Sequence, residues 1–231
     1  MEKQIKGIIF DMDGTLVDSM ANWRHIGTLC LEYLGKKPDR PDFDRTVYRM
    51  KTEELMALFA QYGVKISSRQ EYEEIYYAAI RPSYETVMPM PGILEVLEEF
   101  RSRGLKMCVA TATRSDVAIP VLERLGILPY MEFLLCCNDV HASKEKPDIY
   151  LESARRLGLT VSEAVVFEDA GYCVQTAKAA GFPVVGILDR TAEQEETDYV
   201  REHSDLFLEN YGQLLKILRE GAKQPAVGGI Y

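Results

Sequence analysis

Gly7-Ile8-Ile9-Phe10-Asp11-Met12-Asp13-Gly14-Thr15-Leu16-Val17-Asp18-Ser19 runs a short apolar segment straight into two carboxylates one residue apart, then a glycine. Ile8-Ile9-Phe10 reads as a buried strand, because strands in the middle of parallel sheets are continuous apolar runs. A carboxylate at the carboxyl end of such a strand lies where open α/β sheets bind ligands. In extended geometry Asp11 and Asp13 leave the strand on one side, with Met12 turned away. Gly14 lets the backbone turn sharply. The plain alternative is an acidic Asp-Gly turn after a strand, so the rest of the chain has to choose between a turn and a reactive site.

The 231 residues carry 47% hydrophobic and 27% charged side chains, the profile of a globular protein of one or two domains with a sizeable core. A formal charge of −9 argues against a nucleic-acid backbone or an anionic membrane as the main partner. An anionic small substrate would then need a local cation. No apolar stretch approaches the roughly 20 residues of a membrane span, and the first apolar run stops at Asp11, too early for a signal peptide. Cys30, Cys108, Cys136, Cys137 and Cys173 are odd in number and show no C-x-x-C spacing. They read as reduced, buried thiols of a cytoplasmic protein rather than as metal ligands.

From Ser19 to about Met88 the pattern is helical only. Trp23, Ile26, Leu29, Cys30, Tyr33 and Leu34 recur at helical spacing and predict a helix over 20–34. A polar, proline-containing connection follows over 39–44. A second helix is expected over 52–62, with Thr52 as N-cap and Gly63 as its stop, and a third over 70–84. This is the pattern of a small helical domain, 19–88, inserted after the first strand. Pro89-Met90-Pro91-Gly92 is the strongest punctuation in the chain. Beyond it strands (106–110, 133–136, 164–167, 184–187, and an edge strand at 206–208) alternate with helices (93–103, 116–125, 147–157, 173–180, 193–202, 211–219). The alternation predicts βαβ units and a doubly wound parallel sheet, built from 1–18 and 89–231. The tail, 224–231, is expected to be mobile.

Three of these strands end in polar groups. The first ends in Asp11 and Asp13, the second in Thr111 and Thr113, the fourth in Glu168 and Asp169. In a parallel sheet those ends share one edge. Four carboxylates there repel by several kcal/mol unless neutralised or protonated. A hard divalent cation with oxygen ligands is the economical solution, and Mg²⁺ suits one or two carboxylates plus waters and a phosphate. Read alone, Glu168-Asp169 would serve equally as an acidic cap on the following helix. On the loop after the third strand, Lys144 or Lys146 could supply a neutralising cation, although most such lysines are simply solvated.

Together these segments resemble the haloacid dehalogenase superfamily. Asp11 to Ser19 resembles its first motif and Thr111 its second. Lys144 with Pro147-Asp148-Ile149-Tyr150 resembles the third, and Glu168-Asp169 the fourth. The four occur in order over nearly the whole chain. The helical insertion directly after the first motif resembles the cap of the subgroup containing β-phosphoglucomutase and phosphoglycolate phosphatase. The resemblance implies a Rossmann-like α/β core with an inserted all-helical cap. It implies Asp11 as the nucleophile that forms an aspartyl phosphate and Asp13 as general acid, then base. It implies Thr111 and Lys144 as partners of the phosphoryl group, with the backbone N–H groups of Met12 and Asp13. Mg²⁺ would be held by Asp11, Asp169, the backbone carbonyl of Asp13 and, directly or through water, Glu168.

Two positions depart from the family pattern. Glu145 replaces the first proline of Lys-Pro-x-Pro-Asp, and Cys173 stands where a glycine is usual. By register the third motif favours Lys144 over Lys146. In the cap, Trp23 occupies the place of a histidine that couples binding to proton transfer in β-phosphoglucomutase-like proteins. His25 lies two residues on. Lys51 corresponds to a cap arginine that grips a second phosphate. Trp23, Lys51, Thr113 and Arg114 are therefore the candidate substrate contacts, with Trp23 equally readable as cap core.

The reading that follows is a Mg²⁺-dependent phosphatase of small phosphate monoesters, sugar phosphates among them, with no nucleic-acid, membrane or protein partner implied. A sugar phosphomutase of the β-phosphoglucomutase type is the alternative. A receiver-like phospho-accepting domain would carry its acceptor on a later strand and no cap. A catalytically silent relative would have no need of the intact set Asp11, Asp13, Thr111, Lys144 and Asp169.

Overall fold

The computed structural model describes residues 4–48 and 50–221; the expected tail at 224–231 lies outside them. The strands are β1 (Gly7–Phe10), β2 (Lys106–Thr111), β3 (Leu134–Cys136), β4 (Ala164–Glu168), β5 (Val184–Ile187) and β6 (Leu206–Leu208). They form one sheet in the order β3-β2-β1-β4-β5-β6, parallel throughout. The chain winds outward from β1 to β3, returns across β1 to β4, and winds out the other way. The order reverses between β1 and β4, and this switch point is where open α/β sheets bind ligands, beyond the carboxyl ends of the strands.

Both faces of β1 are covered, so Ile8, Ile9 and Phe10 are buried. Phe10 packs on Phe167 of β4 and on Phe100, at centroid distances of 4.9 and 6.3 Å. Phe100 belongs to the helix Ile93–Ser102, whose Ile93, Val96, Leu97 and Phe100 form one buried stripe. Removing a ring so placed costs about 3–5 kcal/mol.

The chain divides into two compact units, Met1–Asp18 with Met88–Tyr231, and Ser19–Val87. The two segments that lead out of and back into the sheet unit pair with each other. Asp18 N–H donates to Met88 O and Met90 N–H to Leu16 O, both at 2.9 Å, and Val17 bridges Pro89 antiparallel. Leu16 and Val17 are buried.

The helical unit departs from the sequence expectation in four places. The helix expected over 20–34 breaks at His25 into Met20–Arg24 and Ile26–Tyr33. Asp44 supplies the reason: its Oδ1 accepts from Thr28 N–H at 2.7 Å, capping the second helix from a distant segment. The expected connection at 39–44 runs into a short helix, Phe43–Val47, which packs so closely on Gly27 that a Cβ there would meet Val47 at 2.8 Å. Lys51, not Thr52, is the N-cap of Thr52–Gln61, because Glu54 Oε2 reaches back to Lys51 N–H at 2.8 Å and replaces a capping hydroxyl. The helix expected over 70–84 is Arg69–Ile80. It gives way to a 3₁₀ turn, Arg81–Glu85, at Pro82, which has no N–H to donate.

Candidate active site

The site grows from the ends of β1, β2 and β4. After Phe10 the backbone folds into a tight loop in which the Met12 carbonyl accepts from Leu16 and Val17 N–H at 2.8 and 2.9 Å. Gly14, at φ 81, makes that loop possible. The Tyr211 hydroxyl, buried, holds the loop from below by donating to Thr15 O at 2.9 Å. Asp11 and Asp13 are thereby set just beyond the carboxyl end of β1, at the switch point. The Met12 side chain is buried.

The two aspartates face different partners. Asp11 Oδ1 accepts from Lys144 Nζ, which also donates to Glu168 Oε1 at 2.7 Å. All three side chains are buried. Lys146 is exposed, so the two lysines of the loop are separated by environment. Asp13 Oδ2 instead accepts from the Thr113 hydroxyl at 2.6 Å. Thr111 Oγ1 accepts from Thr113 N–H at 3.0 Å, which leaves the Thr111 hydroxyl proton to be donated elsewhere.

Asp11, Glu168 and Asp169 each place a carboxylate oxygen within 4.8 Å of the other two. At that separation two charges repel by about 3–4 kcal/mol at an effective dielectric constant of about 20. Burial pushes the Asp11 carboxyl up to about 8, against the pull of Lys144, with Glu168 and Asp13 adding to the rise. Burial also raises the Asp169 carboxyl well above its ordinary value, reinforced by Asp11, Glu168 and Asp189. Burial works against the Lys144 charge, but Asp11 and Glu168 outweigh it and hold the ammonium well above its ordinary value. Three carboxylates against one ammonium leave two negative charges when all are ionised. Glu168 Oε2 is buried and has no hydrogen-bond partner. An all-oxygen donor set, an excess charge of two and an orphaned buried oxygen fit a hard divalent cation such as Mg²⁺.

The remaining candidates lie elsewhere. Arg114 is clamped on Asp116, Nε to Oδ1 at 3.0 Å and Nη2 to Oδ2 at 3.1 Å. In the helical unit, Trp23 Nε1 donates to the Tyr84 hydroxyl at 2.9 Å and its indole packs on Tyr76. Lys51 is exposed at the start of its helix. The five cysteines are free thiols, and none belongs to the carboxylate cluster. Cys173 is buried within the electrostatic reach of Glu168 and Lys144.

Two polar residues of the site were given no role of their own in the sequence reading. Tyr150, fully buried, donates its hydroxyl to Glu168 Oε1 at 2.7 Å. Its place directly after Pro147-Asp148-Ile149 was the available signal. Asp189, just past β5, is buried and accepts from Thr191 N–H and Oγ1 at 2.7 and 2.6 Å. It lies on the same sheet edge, one strand farther from the first motif.

Among the described residues, no helix is long and apolar enough to cross a membrane. A Thermotoga maritima phosphorylated carbohydrates phosphatase is 30% identical over 77% of this chain and 82% of its own length. An Escherichia coli fructose-1-phosphate phosphatase is 27% identical over 81% and 98%. The crystal structure of a Thermotoga maritima protein described as a putative β-phosphoglucomutase superposes with a TM-score of 0.75 at 24% identity, over 94% of this chain and 99% of that one, a likeness of fold. The family model of haloacid dehalogenase-like hydrolases matches residues 8–187, a span that holds all four motifs and the carboxylate cluster. The chain belongs to the haloacid dehalogenase-like hydrolase family.

Proposed function

We propose that this chain, a phosphohydrolase of that family, is a Mg²⁺-dependent phosphatase of small phosphate monoesters, sugar phosphates among them. The observation that carries the reading is the division of labour between two neighbouring aspartates. Asp11 is tied to the Lys144 ammonium inside the carboxylate cluster, whereas Asp13 is not one of its members and accepts from the Thr113 hydroxyl. That is the separation a nucleophile and a proton carrier require. The names of the two phosphatase relatives support sugar phosphates as the substrate class.

In this mechanism an Asp11 oxygen attacks phosphorus as the ester P–O bond breaks, and Asp13 gives its proton to the leaving oxygen. Water then attacks the aspartyl phosphate and passes a proton to Asp13, releasing inorganic phosphate and restoring Asp11. Lys144, with an N–H to spare beyond Asp11 and Glu168, and the Thr111 hydroxyl donate to the phosphoryl oxygens. The N–H groups of Met12 and Asp13 complete that cradle. Asp11, Asp169, the Asp13 carbonyl and Glu168 would hold Mg²⁺, whose charge would offset that of the phosphoryl group. The helical unit is the proposed cap, with Lys51 as its candidate anion contact; Arg114, beside Thr113 in the sheet unit, is the other candidate.

Hydrolysis is favoured over phosphoryl transfer to a second sugar by Trp23. An indole N–H only donates, and this one is occupied by Tyr84, so it cannot shuttle a proton. The test is a panel of phosphate esters with Mg²⁺, using wild type and Asp11→Asn. Turnover that survives Asp11→Asn overturns the nucleophile. Interconversion of a hexose phosphate without net phosphate release would establish the mutase instead.

A further inference from the structure

We infer that Tyr150 is a positioning residue for the cation site: its hydroxyl pins Glu168 Oε1 and so presents Oε2 to the cation. The inference rests on the Mg²⁺ reading above. Glu168 is the last residue of β4 and is 1% exposed. A carboxylate in such a place has two equivalent oxygens and should share its donors between them. Here it does not. Lys144 Nζ and the Tyr150 hydroxyl both donate to Oε1, each at 2.7 Å, and Oε2 receives nothing.

A buried acceptor without a donor is costly. Had Tyr150 served only to satisfy a buried carboxylate, one donor on each oxygen would have been the cheaper arrangement. The asymmetry acquires a purpose when the neighbours are considered. Oxygens of Asp11 and Asp169 converge with Glu168 within 4.8 Å, and a cation there supplies the partner that Oε2 lacks.

Lys144 alone cannot enforce the choice. Its ammonium has three equivalent N–H donors and could present one of them to either oxygen. Tyr150 can enforce it. It sits in the helix Asp148–Leu157, has no exposed surface, and packs its ring edge-on against Phe182 at 6.3 Å. Its hydroxyl is held between Glu168 Oε1 and the Cys173 thiol, both buried. Two donors from separate elements, one of them rigid, fix the torsion of the Glu168 carboxylate before any cation arrives. Partners of metal ligands that orient them in this way typically change affinity by about 10–100-fold when removed.

The experiment uses metal-stripped full-length protein and Mn²⁺ as the probe, followed by the electron paramagnetic resonance signal of the free ion. Tyr150→Phe should weaken Mn²⁺ binding about tenfold or more, and raise the Mg²⁺ concentration for half-maximal activity in parallel. At saturating Mg²⁺ the KM for the ester should stay within about twofold. A folded Tyr150→Phe variant that binds Mn²⁺ as wild type does overturns the inference, even if its metal-free melting temperature falls, because the hydroxyl is then only structural. Should the variant not fold, wild-type crystals soaked in Mn²⁺ answer the same question. The ion, or a water bound to it, on Oε2 with Tyr150 still on Oε1 supports the inference. An ion on Oε1 with the hydroxyl displaced overturns it. Wild-type protein that binds no Mn²⁺ removes the cation reading and this inference together, whereas wild-type binding that Tyr150→Phe leaves intact removes this inference alone.

Discussion

The Thr113 hydroxyl donates to Asp13 Oδ2 at 2.6 Å, across 100 residues of chain. It joins the loop after β1 to the loop after β2 and gives the proposed acid/base a partner other than the Lys144 ammonium that Asp11 takes. Thr113 is buried, so its rotamer is set by packing, and the hydroxyl aims the Asp13 carboxyl without competing for its charge.

Thr113→Val keeps the shape and removes the aim. General acid catalysis contributes about 10²–10⁴-fold, chiefly where the leaving group needs a proton. With a sugar phosphate, kcat should fall about 10–100-fold. With p-nitrophenyl phosphate, whose leaving group departs as an anion, the loss should stay within a few-fold. Steady-state kinetics on both substrates check this. An equal loss on the two would show that Thr113 serves the phosphoryl group and not Asp13.

Stability should fall steeply on the alkaline side. Burial pushes the thiols of Cys30 and Cys108 up to about 12, from an ordinary value of 9.0. In the unfolded chain each thiol loses its proton near 9, while the folded chain keeps it. The unfolded state is therefore favoured as pH rises from about 9 to about 12, by up to about 4 kcal/mol per thiol. The buried hydroxyls of Tyr76 and Tyr211, also raised by burial, extend the decline. Urea midpoints should be flat up to pH 8.5 and drop above it, and Cys30→Ala with Cys108→Ala should shallow the slope. A flat profile between pH 9 and 11 would contradict the burial of these thiols.

What could be read from the sequence follows the range of the forces involved. The sheet was legible because Ile8-Ile9-Phe10 and Ala164 to Phe167 are apolar runs that can be buried on both faces, and the order of strand ends put Asp11, Thr111 and Asp169 on one edge. Lys144 was separable from Lys146 only by family register, since the two are chemically equal until one is buried against Asp11. The break at His25 was invisible because its cause, the Asp44 carboxylate on Thr28, comes from another segment. Tyr150 was hidden in a helical stripe, where an aromatic residue reads as core, and its hydroxyl bond to β4 exists only in three dimensions.

The segments that cross between the units should be protected despite being linkers. Asp18 and Met90 donate across the paired crossings to Met88 and Leu16, and Leu16 and Val17 are buried. Their amides should exchange with solvent about as slowly as those at the ends of β1. Limited proteolysis should cut elsewhere first. Exchange at the intrinsic rate for Asp18 and Met90 would mean that the pairing opens freely. Slower exchange with a bound phosphate analogue would tie this ribbon to closure of the cap.

Lys144 and Lys146 give the sharpest contrast. Lys144→Met removes the only ammonium bonded to Asp11 and Glu168 among the described residues and leaves their carboxylates facing one another. Breaking a buried pair in this way costs about 3–5 kcal/mol, and the metal-free variant should melt well below wild type. Mg²⁺ should recover part of that loss, because a divalent cation can take over the charge that Lys144 balanced. Activity should not recover with it, since the N–H that would meet the phosphoryl oxygen is gone. Lys146→Met, at an exposed position, should shift stability by no more than about 0.5 kcal/mol and leave kcat unchanged. Thermal melts with EDTA and with Mg²⁺, alongside initial rates, separate the two. A Lys144→Met enzyme that regains full kcat with added Mg²⁺ would assign the lysine to holding the apo site together and remove it from the reaction.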